Sequence, residues 1–152
     1  MSEQHLETFK ATAIGENWPT TVKITDTEFT LQLDEPVEEG GTNSGANPMQ
    51  YFAASLAGCQ NEQAQVVAEE LELKLTKVTI DLEVDLDLSG FMGSSDHSNG
   101  SYKEVRMDTL VSGDLTKEQV QELGKRVDAR CPILGLLRSS GCNIISSWKT
   151  AE

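Results

Sequence analysis

The sequence predicts an α+β protein, and three stretches carry that reading. Residues 78–88 alternate strictly: Val78, Ile80, Leu82, Val84, Leu86 and Leu88 are apolar, while Thr79, Asp81, Glu83, Asp85 and Asp87 between them are polar. A period of two marks a strand with one face on a core and the other in water. Residues 48–72 read instead as one long helix, entered through Asn47, Pro48 and Gln50. These supply a capping side chain, a proline for the first helical position and a capping-box partner. The first third holds short β-prone runs at 9–13, 21–25 and 29–33, separated by turns at Gly15, Pro19 and Asp26–Thr27.

The other elements follow in order. The early runs suit two hairpins or a three-stranded meander, since Phe29, Leu31 and Leu33 alternate with Thr30 and Gln32. Residues 38–48, EEGGTNSGANP, are rich in Gly and Asn and predict a mobile loop. Residues 51–59 are small or apolar on nearly every face of the helix, which predicts a buried central helix, and residues 60–65 turn abruptly polar. After the acidic strand, 91–101 is a second loop rich in Gly and Ser, and 102–112 is a strand expected to run antiparallel to it. Thr116 and Gln119 form another capping box, and Val120, Leu123 and Val127 line one face of the next helix. Cys131–Pro132 breaks the chain and restarts it as a short apolar helix that stops at Gly141, and 143–149 is a last strand. The expected architecture is a β-rich N-terminal part, a long buried central helix and an antiparallel sheet with C-terminal helices, all in one domain over residues 1–152.

Composition narrows the function. A chain of 152 residues, 38% hydrophobic and 24% charged, is large and apolar enough to bury its own core. Its net charge of −13 argues against a nucleic-acid surface and against docking on anionic lipid, both of which need clustered Lys and Arg. No apolar run approaches the roughly 20 residues of a membrane helix. The start, MSEQHLETFK, lacks the basic-then-apolar pattern of a secretory signal, so the cytoplasm is the expected location. The acidic row of residues 79–87 reads as a solvated strand face. There is no Cys-x-x-Cys pair, and His5 and His97 lie far from any cysteine in sequence, so no zinc spacing is visible. In a reducing compartment three cysteines do not make a disulfide framework.

Two of those cysteines stand out. Cys59 sits where the apolar half of the long helix gives way to the polar half, a place open to a reactive thiol or to a buried one packing as a small hydrophobe. Cys131 precedes Pro132 and therefore falls at a helix N-cap, where unpaired amides and the helix dipole favour a thiolate. Ser, Thr, Asp or Asn would cap better, so a cysteine there calls for another reason. Cys142 follows Gly141 and reads as core packing.

Both cysteines lie in recognisable phrases. NPMQYFAASLAGC, residues 47–59, resembles the Asn-Pro-Glu-x-hydrophobic-hydrophobic-Ala-Ala-x-x-Ala-x-Cys start of the central helix in the OsmC/Ohr family. RCPILGLL, residues 130–137, resembles that family's second phrase, Cys-Pro before an apolar run. The spacing of 131 − 59 = 72 residues and the order of elements fit as well, so the resemblance covers nearly the whole chain.

The resemblance implies an intertwined homodimer and a thiol-dependent peroxidase acting on organic hydroperoxides. Cys59 would be the peroxidatic thiol, passing through a sulfenic acid, and Cys131 the resolving thiol that closes a disulfide. A dithiol reductant, lipoyl-bearing in the Ohr branch, would reopen that bond. No metal or organic cofactor is implied. Met49, Phe52 and Glu62 are the candidate pocket residues. The chain departs from the pattern at two points. Met49 stands where Ohr-type members carry Glu, and no Arg precedes Arg106, whereas those members bring an Arg from an N-terminal loop to the peroxidatic thiol. Lys10, Arg130 and Arg138 are the candidates to replace it. The alternative is an OsmC-like protein without peroxidase activity that binds a small ligand or another thiol substrate in the same pocket. The loops at 38–47 and 91–101 are long enough to act as lids or to be plain connections.

Overall fold

The strict alternation falls on β4 (Lys74–Asp87), which stops one residue short of Leu88 and pairs antiparallel with β5 (Ser101–Asp114) from Lys74↔Asp114 to Asp87↔Ser101. The computed structural model describes residues 5–93 and 100–151, so His97 and most of the second Gly-rich loop lie outside the described residues. The chain packs as two units, Met1–Phe52 and Ala53–Glu152, with the division inside the long helix.

In the first unit β1 (Ala11–Ile14), β2 (Thr20–Ile24) and β3 (Thr30–Leu33) form the expected meander, antiparallel in that order. The loop expected to be mobile is instead organised around one side chain. Asp34 is fully buried and accepts five hydrogen bonds. Its Oδ1 takes the amides of Glu35 and Thr42, and its Oδ2 takes the amide of Ser44 and the hydroxyls of Ser44 and Thr42. Between them the backbone makes one 3₁₀ turn, Val37–Glu39, closed by Gly40 at φ 90°. Gly41 passes so near the Glu35 carbonyl that an added Cβ would lie 2.0 Å from its oxygen, so only glycine fits.

α1 (Pro48–Glu70) begins as the capping pattern predicts. The Gln50 amide donates to Asn47 Oδ1, and the Asn47 amide donates to Gln50 Oε1, each at 2.9 Å. Its apolar first half is not enclosed in the single chain. Leu56 is fully buried, but Ala54, Ser55 and Gly58 are exposed. A layered arrangement covers one side of a helix, and a segment apolar all round then keeps an open face.

In the second unit Ala64, Val67 and Ala68 of α1 pack with Val78, Val111, Trp148 and one face of α2 (Lys117–Arg130): Val120, Leu123 and Val127. Asn61 ties α1 to the sheet by donating to the Val78 carbonyl at 3.1 Å. α2 opens with the expected Thr116–Gln119 capping box. α3 (Pro132–Ser139) follows, and β6 (Asn143–Thr150) completes the sheet β4-β5-β6. Here the expectation of an antiparallel sheet needs correction, because β6 pairs parallel to β5. Two intervening helices carry the chain back to the end from which β5 starts, and a crossover of that length permits a parallel return. Trp148 lies against Gly124 of α2, where an added Cβ would come 2.3 Å from the indole Cγ. On the other face of the sheet Arg106 stands opposite Glu83 and pairs with Glu83, Asp85 and Glu104 at 2.9, 2.6 and 2.7 Å.

Candidate functional site

Cys131 is shared by two helices. Its amide donates to the Val127 carbonyl and closes α2, while its Sγ accepts the Leu134 amide at 3.5 Å and caps α3. Pro132 at the first position of α3 has no N–H to give, so Ile133 and Leu134 supply the first free donors of that helix. This is the N-cap geometry that the Cys-Pro step predicts.

That turn faces the middle of α1. Cys131 Sγ and Cys59 Sγ are 2.9 Å apart. A disulfide measures about 2.05 Å, so these are two thiols in hydrogen-bond contact that a small movement would join. Cys131 is enclosed, at 1% exposure, whereas Cys59 is partly open to solvent. A molecule arriving from outside therefore meets Cys59 first.

The electrostatics of Cys59 are those of a protected thiol. Burial pushes its pKa up, the neighbouring Cys131 sulfur and the Glu62 carboxylate push the same way, and the Ile133 amide pulls it down; the result is about 12. None of these groups is a cation. The candidates proposed from sequence are engaged elsewhere. Arg130 forms a 2.8 Å ion pair with Glu70, Arg138 donates to the Asp128 carbonyl at 3.4 Å, and Lys10 lies 3.9 Å from Asp26. Among the described residues, the positive end of α3 meets the two sulfurs, with one amide directed to each.

The other candidates separate. Glu62 is exposed, one helical turn beyond Cys59, and acts on it through its charge. Met49 is exposed and Phe52 half-buried, both on the part of α1 that belongs to the first unit. One residue in the neighbourhood escaped the sequence reading. Gln60 follows Cys59 directly and is 1% exposed, and neither Nε2 nor Oε1 has a hydrogen-bond partner among the described residues. Its signal was its phase: Leu56, Gln60 and Ala64 are four apart and all buried, so a glutamine occupies a core position inside a stretch that reads as polar. Cys142 is buried, as its sequence context predicts.

Residues 41–147 match the family described as OsmC-like protein. The chain is 32% identical over 139 residues to the organic hydroperoxide resistance protein of Xanthomonas axonopodis pv. citri (strain 306), covering 91% of this chain and 92% of that one. Among solved structures it resembles an organic hydroperoxide resistance protein OsmC from Legionella pneumophila, with 25% identity, a TM-score of 0.75 and coverage of 98% of this chain and 100% of the other. An OsmC-like protein from Mycoplasma pneumoniae shares the fold at 16% identity, with a TM-score of 0.81 and coverage of 96% and 99%.

Proposed function

This chain belongs to the OsmC-like protein family, and on that premise we propose that it is a thiol-dependent peroxidase that reduces organic hydroperoxides through Cys59 and Cys131. The observation that carries the reading is the 2.9 Å approach of two free thiols from segments 72 residues apart (131 − 59), one enclosed and one partly open. Relatives named for resistance to organic hydroperoxides support the same class of substrate.

In the proposed cycle Cys59 attacks the outer oxygen of the hydroperoxide and the O–O bond breaks. The thiol proton goes to the departing alkoxide, which leaves as an alcohol, and Cys59 becomes a sulfenic acid. Cys131 then attacks that sulfur. The S–S bond forms as the S–O bond breaks, and water carries away the hydroxyl with the Cys131 proton. An external dithiol, of the lipoyl type that the family resemblance implies, reduces the bond by exchange and becomes a cyclic disulfide. The amides of Ile133 and Leu134 stand in for the missing arginine by stabilising negative charge on sulfur. A homodimer in the cytoplasm is the setting this reading assumes.

The test is consumption of tert-butyl hydroperoxide with dithiothreitol. The wild type turns over, and Cys59→Ser lowers the rate by at least about 100-fold. Equal rates in the two proteins would remove the peroxidase reading. One observation favours the second reading, a family member that binds a ligand without reducing peroxides: Cys59 is pushed up to about 12 with a carboxylate, and no cation, among the groups that move it. A wild type that consumes no peroxide yet binds a small thiol compound would establish that alternative.

A further inference from the structure

We propose that the site selects uncharged hydroperoxides over carboxylate-bearing ones, and that Glu62 is the residue that sets the preference. The inference rests on the peroxidase reading above and adds a substrate class to it.

Cys59 is the sulfur open to solvent, so a hydroperoxide must bring its O–O bond to that atom. Glu62 lies three residues further along α1, and residues three apart on a helix are surface neighbours with Cβ atoms roughly 5–6 Å apart. Glu62 is exposed and takes part in no ion pair among the described residues. Its charge therefore has no ion-pair partner among the described residues and acts beside the sulfur that a peroxide must reach. The arginines nearest in sequence to Cys131 do not offset it: the Arg130 guanidinium is bound by Glu70, and Arg138 turns to the Asp128 carbonyl. The whole chain carries −13, so the long-range field has the same sign as the local one.

A hydroperoxide whose carboxylate lies close to its O–O bond meets repulsion both on approach and when bound. A neutral one meets none, and the half-buried Ala53 and Ala57 on the same helix carry no donor that would reward a charged group. Two like charges several ångströms apart near a protein surface change an association constant by about tenfold at low salt. The effect is screened over about 10 Å at 0.1 M ionic strength, which makes salt a diagnostic.

The experiment compares cumene hydroperoxide bearing a para-carboxylate, which holds the charge one ring away from the O–O bond, with its methyl ester, using dihydrolipoamide as an uncharged reductant and measuring kcat/KM for each peroxide. At low salt the ester is expected to exceed the acid by about tenfold, and the ratio falls towards unity as salt is raised. Glu62→Gln narrows the ratio at low salt, and Glu62→Lys reverses it. Because these substitutions also alter the Cys59 thiol, both substrates change speed together, and only the ratio reports selectivity. Equal use of acid and ester at low salt overturns the proposal while leaving the peroxidase reading intact. So does a preference for the ester that neither salt nor Glu62→Gln alters, since apolarity rather than charge would then decide. If neither peroxide is consumed, nor tert-butyl hydroperoxide, the peroxidase reading fails and the selectivity with it.

Discussion

Asp34 and Cys59 are acids wholly and partly withdrawn from water, one in each unit, and their surroundings drive them in opposite directions. Burial pushes the Asp34 carboxyl up, but the hydroxyls and amides of Ser44 and Thr42 outweigh it and hold the group well below the usual carboxylate range. Burial also pushes Cys59 up, and there the Cys131 sulfur and Glu62 add to it against one amide. Burial alone thus does not decide whether an acid inside a protein is an anion. The number of donors converging on it does. Asp34 has five donors and reads as a fixed structural anion, whereas Cys59 keeps its proton until chemistry removes it.

The comparison can be broken most directly at the sulfurs. Cys131→Ser should leave Cys59 without a resolving partner, so that treatment with excess peroxide carries it to sulfinic and sulfonic acids. Intact-mass measurement then shows additions of oxygen in the variant and the loss of two hydrogens in the wild type. A wild type with no Cys59–Cys131 linkage after oxidation would deny Cys131 its role. At Asp34 the expected damage is to structure. Asp34→Ala strands three amides and two hydroxyls, lowers Tm by several degrees and opens residues 35–46 to protease. Asp34→Asn keeps the shape but sets an amide NH₂ against donors, so it should recover only part of the loss.

The two acids also predict opposite pH flanks. Asp34 has a lowered pKa in the fold, so the unfolded chain takes up its proton first as pH falls. The stability it contributes is present above the ordinary value of 3.8 and is lost on further acidification. Cys59 has a raised pKa, so the unfolded chain releases its proton first as pH rises. Its contribution is present below the ordinary thiol value of 9.0 and is lost between there and about 12. Denaturant melts across pH should show Asp34→Asn flattening the acid flank and Cys59→Ser the alkaline one, and an exchange of these effects would refute the assignment. The smallest effect is expected at Gln60, whose buried amide has no hydrogen-bond partner among the described residues. Gln60→Met should raise unfolding stability by about 1 kcal/mol, and a clear loss instead would mean that the amide is hydrogen-bonded in solution.

Much of this architecture was legible in the residues. The period-two run at 78–88, the Asn47–Gln50 and Thr116–Gln119 boxes and the Cys131–Pro132 restart are local signals, and local signals place elements to within a few residues. The phrases around Cys59 and Cys131 marked the two residues whose sulfurs meet. What stayed hidden depends on contacts between distant positions. Asp34 carries no local mark, since four of its five hydrogen bonds come from residues 8 and 10 positions away in a stretch that looks like slack. The direction of β6 is set by how two helices return the chain, which no strand pattern encodes. Arg106 is one cation among many acids in sequence, and only the β4–β5 register brings Glu83, Asp85 and Glu104 around it. The state of Cys59 likewise depends on what packs beside it.

The two tryptophans have a practical consequence, since each belongs to a different unit. Trp148 is 6% exposed, wedged against Gly124 with its indole N–H on Ser146 and Asp128, and Trp18 is 44% exposed beside the β1–β2 turn. An enclosed indole emits to the blue of one in water. The natural fluorescence of this chain is therefore a sum of two colours, and recording an unfolding curve at both wavelengths follows each half of the molecule without any added dye.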